Sequence, residues 1–169
     1  DQEVAEKAVN ELRREIVISS LFDQPTLHSL YGIIDNLENN QFIIITPFYK
    51  QGDLSSMINK EIAKTSPPSW DFTQKFIVMY GIVVGMTILH QHNLIHRDLK
   101  PGNILLNDDL EPLITDFGLS KLVDPTNALH QTQAIGTPFY LAPEIMCADN
   151  DANYDGKLAD VYAFSILCY

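Results

Sequence analysis

Cysteine is nearly missing from this sequence. Cys147 and Cys168 are the only two among 169 residues, and they lack metal-ligand spacing. A disulfide framework and a cysteine-built metal site are both excluded, and two reduced thiols in a cytoplasmic protein are expected. Positive charge is scarce too. Eleven Lys and Arg face 22 Asp and Glu, for a formal net charge of −11. That balance speaks against nucleic acid or an anionic membrane surface as partner. No internal repeat or low-complexity tract is visible, which excludes solenoid and linker architectures. A long unbroken apolar run is also missing. The longest, Phe76 to Leu89, is interrupted by Tyr80, Gly81, Gly85 and Thr87. It reads as too short to span a bilayer and as a helix buried on most sides, so no membrane insertion is expected. Asp1 opens a charged stretch without a signal-peptide pattern. An apolar content of 46% and this length suit one globular domain. Both ends fall inside periodic or apolar stretches without caps or breakers, so the expectation is a piece of a longer chain.

The periodicities read as a mixture of helices and strands. Residues 2–22 are charged and helical in period, with Val4, Ala8, Leu12 and Ile16 towards one face, and Gln24-Pro25 ends the helix. Leu27 to Ile34 and Gln41 to Thr46 read as strands joined by the turn 35–40. Pro47 to Gly52 is a connector, because Pro47 has no N–H for a central ladder. Asp53-Leu54 opens a short helix running to about Lys64, and Phe72 to Gln91 is a long one. Residues 104–106 and 112–115 are short strands. Residues 119–135 are polar and aperiodic. A short helix is expected after Glu144, then the acidic loop 149–151, then an apolar helix from Asp160.

Residues 96–103 read His-Arg-Asp-Leu-Lys-Pro-Gly-Asn, and Asp116-Phe117-Gly118 follows across the two short strands. Two carboxylates, a lysine and an amide carbonyl are thereby set on neighbouring loops. Phosphoryl transfer from ATP needs such groups: a carboxylate to hold the acceptor hydroxyl, a cation for the moving phosphoryl group, and hard oxygens for Mg²⁺. A third string, Gly136-Thr-Pro-Phe-Tyr-Leu-Ala-Pro-Glu144, follows in order.

These three ordered strings resemble the eukaryotic protein kinases. The resemblance covers essentially the whole sequence and implies an α+β, incomplete two-lobed kinase-like fold. Residues 1–46 would be the remainder of the small lobe, 47–52 the hinge and 53–169 part of the large lobe. The glycine-rich lid and the ATP-pairing lysine would lie before Asp1. The implied activity is transfer of the γ-phosphate of ATP, with Mg²⁺, to Ser or Thr of a protein substrate. The lysine at 100 resembles Ser/Thr-directed kinases, and the 136–144 string and Asp160-Val-Tyr-Ala-Phe look most like the tyrosine-kinase-like group. The alternative is a pseudokinase that uses the fold as a scaffold. Pseudokinases usually lose one of Asp98, Asn103 or Asp116, and all three are present.

The resemblance also implies roles. Asp98 would accept or orient the substrate hydroxyl proton, Lys100 would neutralise the γ-phosphate, and Asn103 and Asp116 would hold Mg²⁺. Glu15 would pair with the ATP-binding lysine. Thr46 would be the gatekeeper, and Pro47 and Tyr49 would face adenine through their backbones. Asp53 would contact the ribose or cap its helix, and Leu105 would form the floor under adenine. Thr137 would support Asp98 and Lys100, Asp160 would cap the 96–98 backbone, and Glu144 would pair with an Arg beyond Tyr169. Arg97, helped by Lys121, would await a phosphate on the activation segment, at Thr132 or else Thr126, placed there by an upstream activating kinase. The competing expectation is that Arg97 pairs with a local carboxylate such as Asp124. Four residues depart from the family pattern. Gln24 stands for the usual His and Ser165 for a common Gly. Gly102 replaces an acidic residue associated with basic substrates. Ser19 stands where a bulky apolar residue would stack with Leu30, His96 and Phe117.

Overall fold

In the first helix, α1 (Gln2–Leu21), Ile18 and Ser19 are buried, while Leu12, Glu15 and Ile16 are half-buried. The computed structural model describes residues 2–36, 41–123, 136–146 and 154–169. Within these, strands β1 (Gly32–Asn36) and β2 (Gln41–Ile45) form an antiparallel hairpin with Ile34 opposite Ile43 and Gly32 opposite Ile45. Then come α2 (Leu54–Ile62), α3 (Phe72–Gln91), β3 (Leu94–Ile95), β4 (Ile104–Leu106), β5 (Pro112–Ile114), β6 (Lys121–Leu122), α4 (Pro143–Met146) and α5 (Gly156–Cys168). β3 pairs with β6 and β4 with β5, both antiparallel. Helices and antiparallel strand pairs are segregated along the chain, as an α+β fold requires.

The helix starts follow from acidic N-caps. Asp53 accepts from the Ser56 N–H (2.7 Å), Asp71 from the Gln74 N–H (2.8 Å), and Asp155 from the Lys157 N–H (2.8 Å). Each cap satisfies a donor that the first turn leaves open, at about 1 kcal/mol. α2 stops at Ile62, earlier than expected, where Ala63 caps it and Lys64 turns left-handed at φ 58°. α5 begins at Gly156, four residues before Asp160, because Asp155 supplies the cap.

α3 lies against β5. A Cβ on Gly81 would sit 2.5 Å from the Pro112 ring, so only glycine lets helix and strand come this close. Val78, Ile82, Met86 and Leu89 continue the stripe into the core, where Ile104, Ile114 and Phe117 meet it. Full burial of each such side chain stabilises the fold by about 1.5–3 kcal/mol. Two expectations about this helix fail. It is not buried on most sides, since Phe72, Phe76 and Tyr80 are exposed. It is also not too short: its 20 residues are long and apolar enough to cross a bilayer by length and composition alone. Its close seat on β5 is that of a core helix.

The expected strand 27–34 is also corrected. Leu27 makes a single bridge to Ile114 and is fully buried there, and the ladder starts only at Gly32. Strand β5 takes Leu27 out of the hairpin. Of the expected turn 35–40, Asp35 and Asn36 belong instead to β1, and 37–40 lie outside the described residues, as do Cys147, the loop 149–151 and most of the aperiodic segment.

Candidate active site

The β4–β5 hairpin organises the site. Asn103 enters β4 and Asp116 follows β5, and the Thr115 N–H donates to the Asn103 carbonyl (3.0 Å). The loop 96–103 and the turn that starts at Asp116 are thereby held side by side.

Asp98 is 6% exposed and fully engaged. Its Oδ1 accepts from the Thr137 N–H (2.8 Å) and the Thr137 hydroxyl (2.7 Å). Its Oδ2 accepts from Lys100 Nζ (2.6 Å) and Asn103 Nδ2 (3.1 Å). Burial pushes the Asp98 carboxyl up, but the Lys100 and Thr137 bonds outweigh it and hold the group below the usual carboxylate range. Lys100 also donates to Thr137 Oγ1 (2.9 Å), which closes a ring of three residues. Asn103 spends its Nδ2 on Asp98, donating to the carbonyl as well (2.9 Å), and this leaves Oδ1 as the oxygen it can offer a cation.

Beneath the loop, Asp160 is 2% exposed and accepts from the His96 N–H (2.9 Å) and the Arg97 N–H (2.9 Å), and it pairs with His90 Nε2 (2.8 Å). The expected cap from the central helix is therefore in place. His96 is wedged in the core against Phe117, rings 5.6 Å apart and edge-on. The Asp98 N–H donates to His96 Nδ1 (3.3 Å), so Nε2 carries the proton and donates to the Thr115 carbonyl (3.0 Å).

Asp116 is exposed and left-handed (φ 64°, ψ 66°), at the start of the 3₁₀ turn Phe117–Leu119. That turn packs on α1, and Arg14 Nη1 donates to the Gly118 carbonyl (3.2 Å). Glu15 lines the same cleft as Asp116, with Glu11 and Leu12. Burial, then the negative charge of Asp116, push the Glu15 carboxyl above its ordinary range.

The hinge candidates form a separate strip. Thr46 is exposed, Pro47 and Tyr49 are half-buried, and the Tyr49 ring meets His28 edge-on at 5.9 Å. Asp53 bridges Leu105, and the Leu106 N–H donates to the Gly52 carbonyl (2.9 Å), so the strip is laced to β4. Asp53 does cap α2, through Oδ1.

Arg97 already has partners: Nε donates to the Leu119 carbonyl (2.6 Å), and the side chain bonds to Tyr154. Burial lowers the Arg97 pKa, and Arg14 nearby lowers it further. Asp124, Thr126 and Thr132 lie outside the described residues. Lys121 and Glu144 are exposed, on β6 and α4. Ser19 is buried, and its neighbour Ile18 belongs to the buried cluster that includes Phe117. Sequence reasoning missed Arg14, His90 and Tyr154. Each acts through a partner distant along the chain, so no local spacing signals it.

A buried carboxylate kept ionised by a lysine and a threonine, beside a second, open carboxylate, is equipment for moving a phosphoryl group onto a hydroxyl. On an α+β scaffold with this loop order, that defines the protein-kinase class. Comparison with known proteins agrees. The protein kinase domain family matches residues 1–169, and the chain belongs to that family. Proteins of the family use ATP and a divalent metal ion and act on proteins. Among its relatives, serine/threonine-protein kinase TAO1-B of Xenopus laevis is 42% identical over 91 residues, 54% of this chain and 8% of that protein. A probable LRR receptor-like serine/threonine-protein kinase of Arabidopsis thaliana is 34% identical over 161 residues, 93% of this chain and 15% of that protein. Dual specificity protein kinase shkB of Dictyostelium discoideum is 32% identical over 165 residues, 97% of this chain and 24% of that protein. The chain thus spans a quarter or less of the length of each.

Proposed function

We propose that the protein carrying this chain is an ATP-dependent, cytoplasmic serine/threonine protein kinase. The observation that carries the reading is the ring of Asp98, Lys100 and Thr137. Its carboxylate is ionised and oriented, ready to hold a substrate hydroxyl in line and take its proton. Base assistance of this kind is worth about 10²–10⁴ in rate, and positioning contributes more. Lys100, already bridged to Thr137, is the cation for the transferred γ-phosphate. On the domain plan, 1–46 belong to the small lobe, 47–52 are the hinge and 53–169 belong to the large lobe.

The residues present fit Mg²⁺ and ATP. Asp116 is an open carboxylate and Asn103 has a spare amide oxygen, which together make two hard ligands. Mg²⁺ suits that number, since it is held by one or two protein oxygens plus substrate phosphates. Among the described residues no group of three or more His, Cys, Asp or Glu is placed to hold a metal ion by itself. When bound, Mg²⁺ would neutralise charge on the phosphates of ATP. Pro47 and Tyr49 would face adenine through their backbones behind the gatekeeper Thr46, Leu105 would lie under the ring, and Asp53 would keep Oδ2 for the ribose. Glu15 would receive the ATP-binding lysine. A phosphate on Thr132 would displace the Leu119 carbonyl from Arg97 and recruit Lys121, with Arg14 close by.

The test uses two variants of the full-length protein. Asp98→Asn abolishes transfer to Ser/Thr peptides and leaves ATP affinity near wild type. Asp116→Asn abolishes transfer and weakens Mg²⁺-dependent ATP binding at least about tenfold. Equal loss of nucleotide affinity in both would break the role assignment. Failure of the wild-type protein to phosphorylate any Ser or Thr, with ATP still bound, would favour the pseudokinase.

A further inference from the structure

The strip 46–52 is tied to the fold by backbone bonds at its two ends. The Tyr31 N–H donates to the Ile45 carbonyl (2.7 Å) just before it, and the Leu106 N–H donates to the Gly52 carbonyl (2.9 Å) at its close. Phe48 and Lys50 are exposed. Tyr49 between them is half-buried, because its ring packs inward on His28, with centroids 5.9 Å apart and planes at 63°. That is the edge-on arrangement aromatic pairs prefer. His28 is itself a fixed point. It is buried, and its backbone lies on β5: the His28 N–H donates to the Ile114 carbonyl (2.8 Å), and the Ile114 N–H donates to the Thr26 carbonyl (2.9 Å). Ile114 is fully buried and stands two residues before Asp116. Burial pushes the His28 imidazole pKa down, so the ring is uncharged at neutral pH, and burial and then Tyr31 push the Tyr49 hydroxyl up. The contact is therefore one between two neutral rings.

We infer that His28 is a positioning residue for the nucleotide: it props the Tyr49 ring and thereby sets the height of the Tyr49 backbone, which adenine meets, relative to β5 and Asp116. The inference rests on the kinase reading above and adds to it a residue outside the three motif strings. Removing the ring frees the middle of the strip while its two ends stay tied. The phosphates and the acceptor hydroxyl are served by Asp116, Asn103, Lys100 and Asp98 instead, so the effect falls on the adenine half of the nucleotide.

The experiment measures kcat, KM for ATP and KM for a Ser peptide on the full-length protein, together with calorimetric affinity for adenosine, which carries no phosphate. An aromatic pair of this kind corresponds to about fivefold in affinity. His28→Val is expected to raise KM for ATP by about that factor and to weaken adenosine equally, with kcat and KM for the peptide within about twofold of wild type. His28→Phe keeps an edge-on ring and restores both values. Tyr49→Ala weakens adenosine to the same degree, and His28→Val adds little on top of it, because both remove one contact. The unfolding midpoint is followed in parallel, and Tyr49→Ala, at a half-buried ring, carries the test alone if the buried substitution unfolds the protein. Unchanged adenosine affinity in these variants, additive losses in the double variant, no rescue by His28→Phe, or an equal fall in kcat and in affinity for ATP and peptide overturns the inference and leaves the kinase reading intact. A wild-type protein that binds neither ATP nor adenosine overturns both.

Discussion

Replacing Asp160 by alanine removes the acceptor for three donors at once. Two of these are backbone N–H groups of His96 and Arg97, at 2.9 Å each, and the third is His90 Nε2 at 2.8 Å. The side chain of Asp160 is 2% exposed and that of His90 17% exposed, so His90 can turn to water but the buried His96 N–H cannot. A buried donor left without a partner costs about 1–3 kcal/mol. Two donors at that cost make Asp160→Ala destabilising by about 2–6 kcal/mol, a large share of the 5–15 kcal/mol typical of a domain. The asparagine variant keeps one oxygen. Placed at Oδ2 it still serves His96 and His90, but its NH₂ then faces the Arg97 N–H; turned over, it serves Arg97 alone. Asp160→Asn should therefore cost about 1–3 kcal/mol. In a protein of this size, 1 kcal/mol moves the midpoint by about 2–4 °C. Urea unfolding with unchanged slope, together with calorimetric Tm, reads the order wild type, Asn, Ala. Phosphotransfer should fall more steeply than stability, because the same bonds set the height of the Asp98 loop and a displacement of about 1 Å costs on the order of 100-fold. If Asp160 served mainly as a charge for His90, Asn and Ala would cost the same, and His90→Ala would match them. That result would refute the reasoning.

Glu15 offers a signed pH test. Its carboxyl is raised by burial and by Asp116, so the ionised form opposes folding, and stability rises as pH falls through the raised value towards the ordinary Glu range. Glu15→Gln should therefore stabilise the isolated chain at pH 7–8, with the gain fading towards about pH 4; a destabilised variant would mean that a cation already pairs with Glu15. Gly136 sits at φ 133°, and a Cβ there would lie 2.6 Å from the Arg97 carbonyl oxygen. Gly136→Ala should cost about 1–3 kcal/mol in urea unfolding and lower kcat by about 100-fold, by pushing the Thr137 anchor off Asp98; unchanged kcat would contradict the close approach. For the activation segment, Thr132→Ala and phosphatase treatment should each lower activity by about tenfold or more, through lost charge-assisted bonds to Arg97. Arg97→Ala should no longer respond to phosphatase, and full activity of a homogeneous unphosphorylated sample would sink the switch.

Much of the site was legible because its parts are close along the chain. Asp98, Lys100 and Asn103 occupy one loop, and the short β4–β5 hairpin returns Asp116 beside them, so spacing alone implies proximity. The starts of α2 and α3 were legible for the same reason, since an Asp cap acts within three residues. The two-residue pair β3–β6 was not, because strands so short carry no period and their partners are far apart in sequence. Leu27 was misassigned to the hairpin strand because an apolar alternation cannot say which sheet will claim it. The exposed flank of α3 was unreadable in a helix apolar on nearly every side.

What the sequence by itself determined is the family, and it also supplied the candidate phosphotransfer residues, since ordered motifs and local geometry need no knowledge of the rest of the chain. Only the tertiary structure decided their electrostatic state. Thr137 and Lys100 outweigh the burial of Asp98, Asp116 raises Glu15, and Leu119 and Tyr154 occupy Arg97. Such effects depend on distances of a few ångströms between groups separated by tens of residues, and Coulomb and hydrogen-bond energies fall off with that distance, not with separation along the chain.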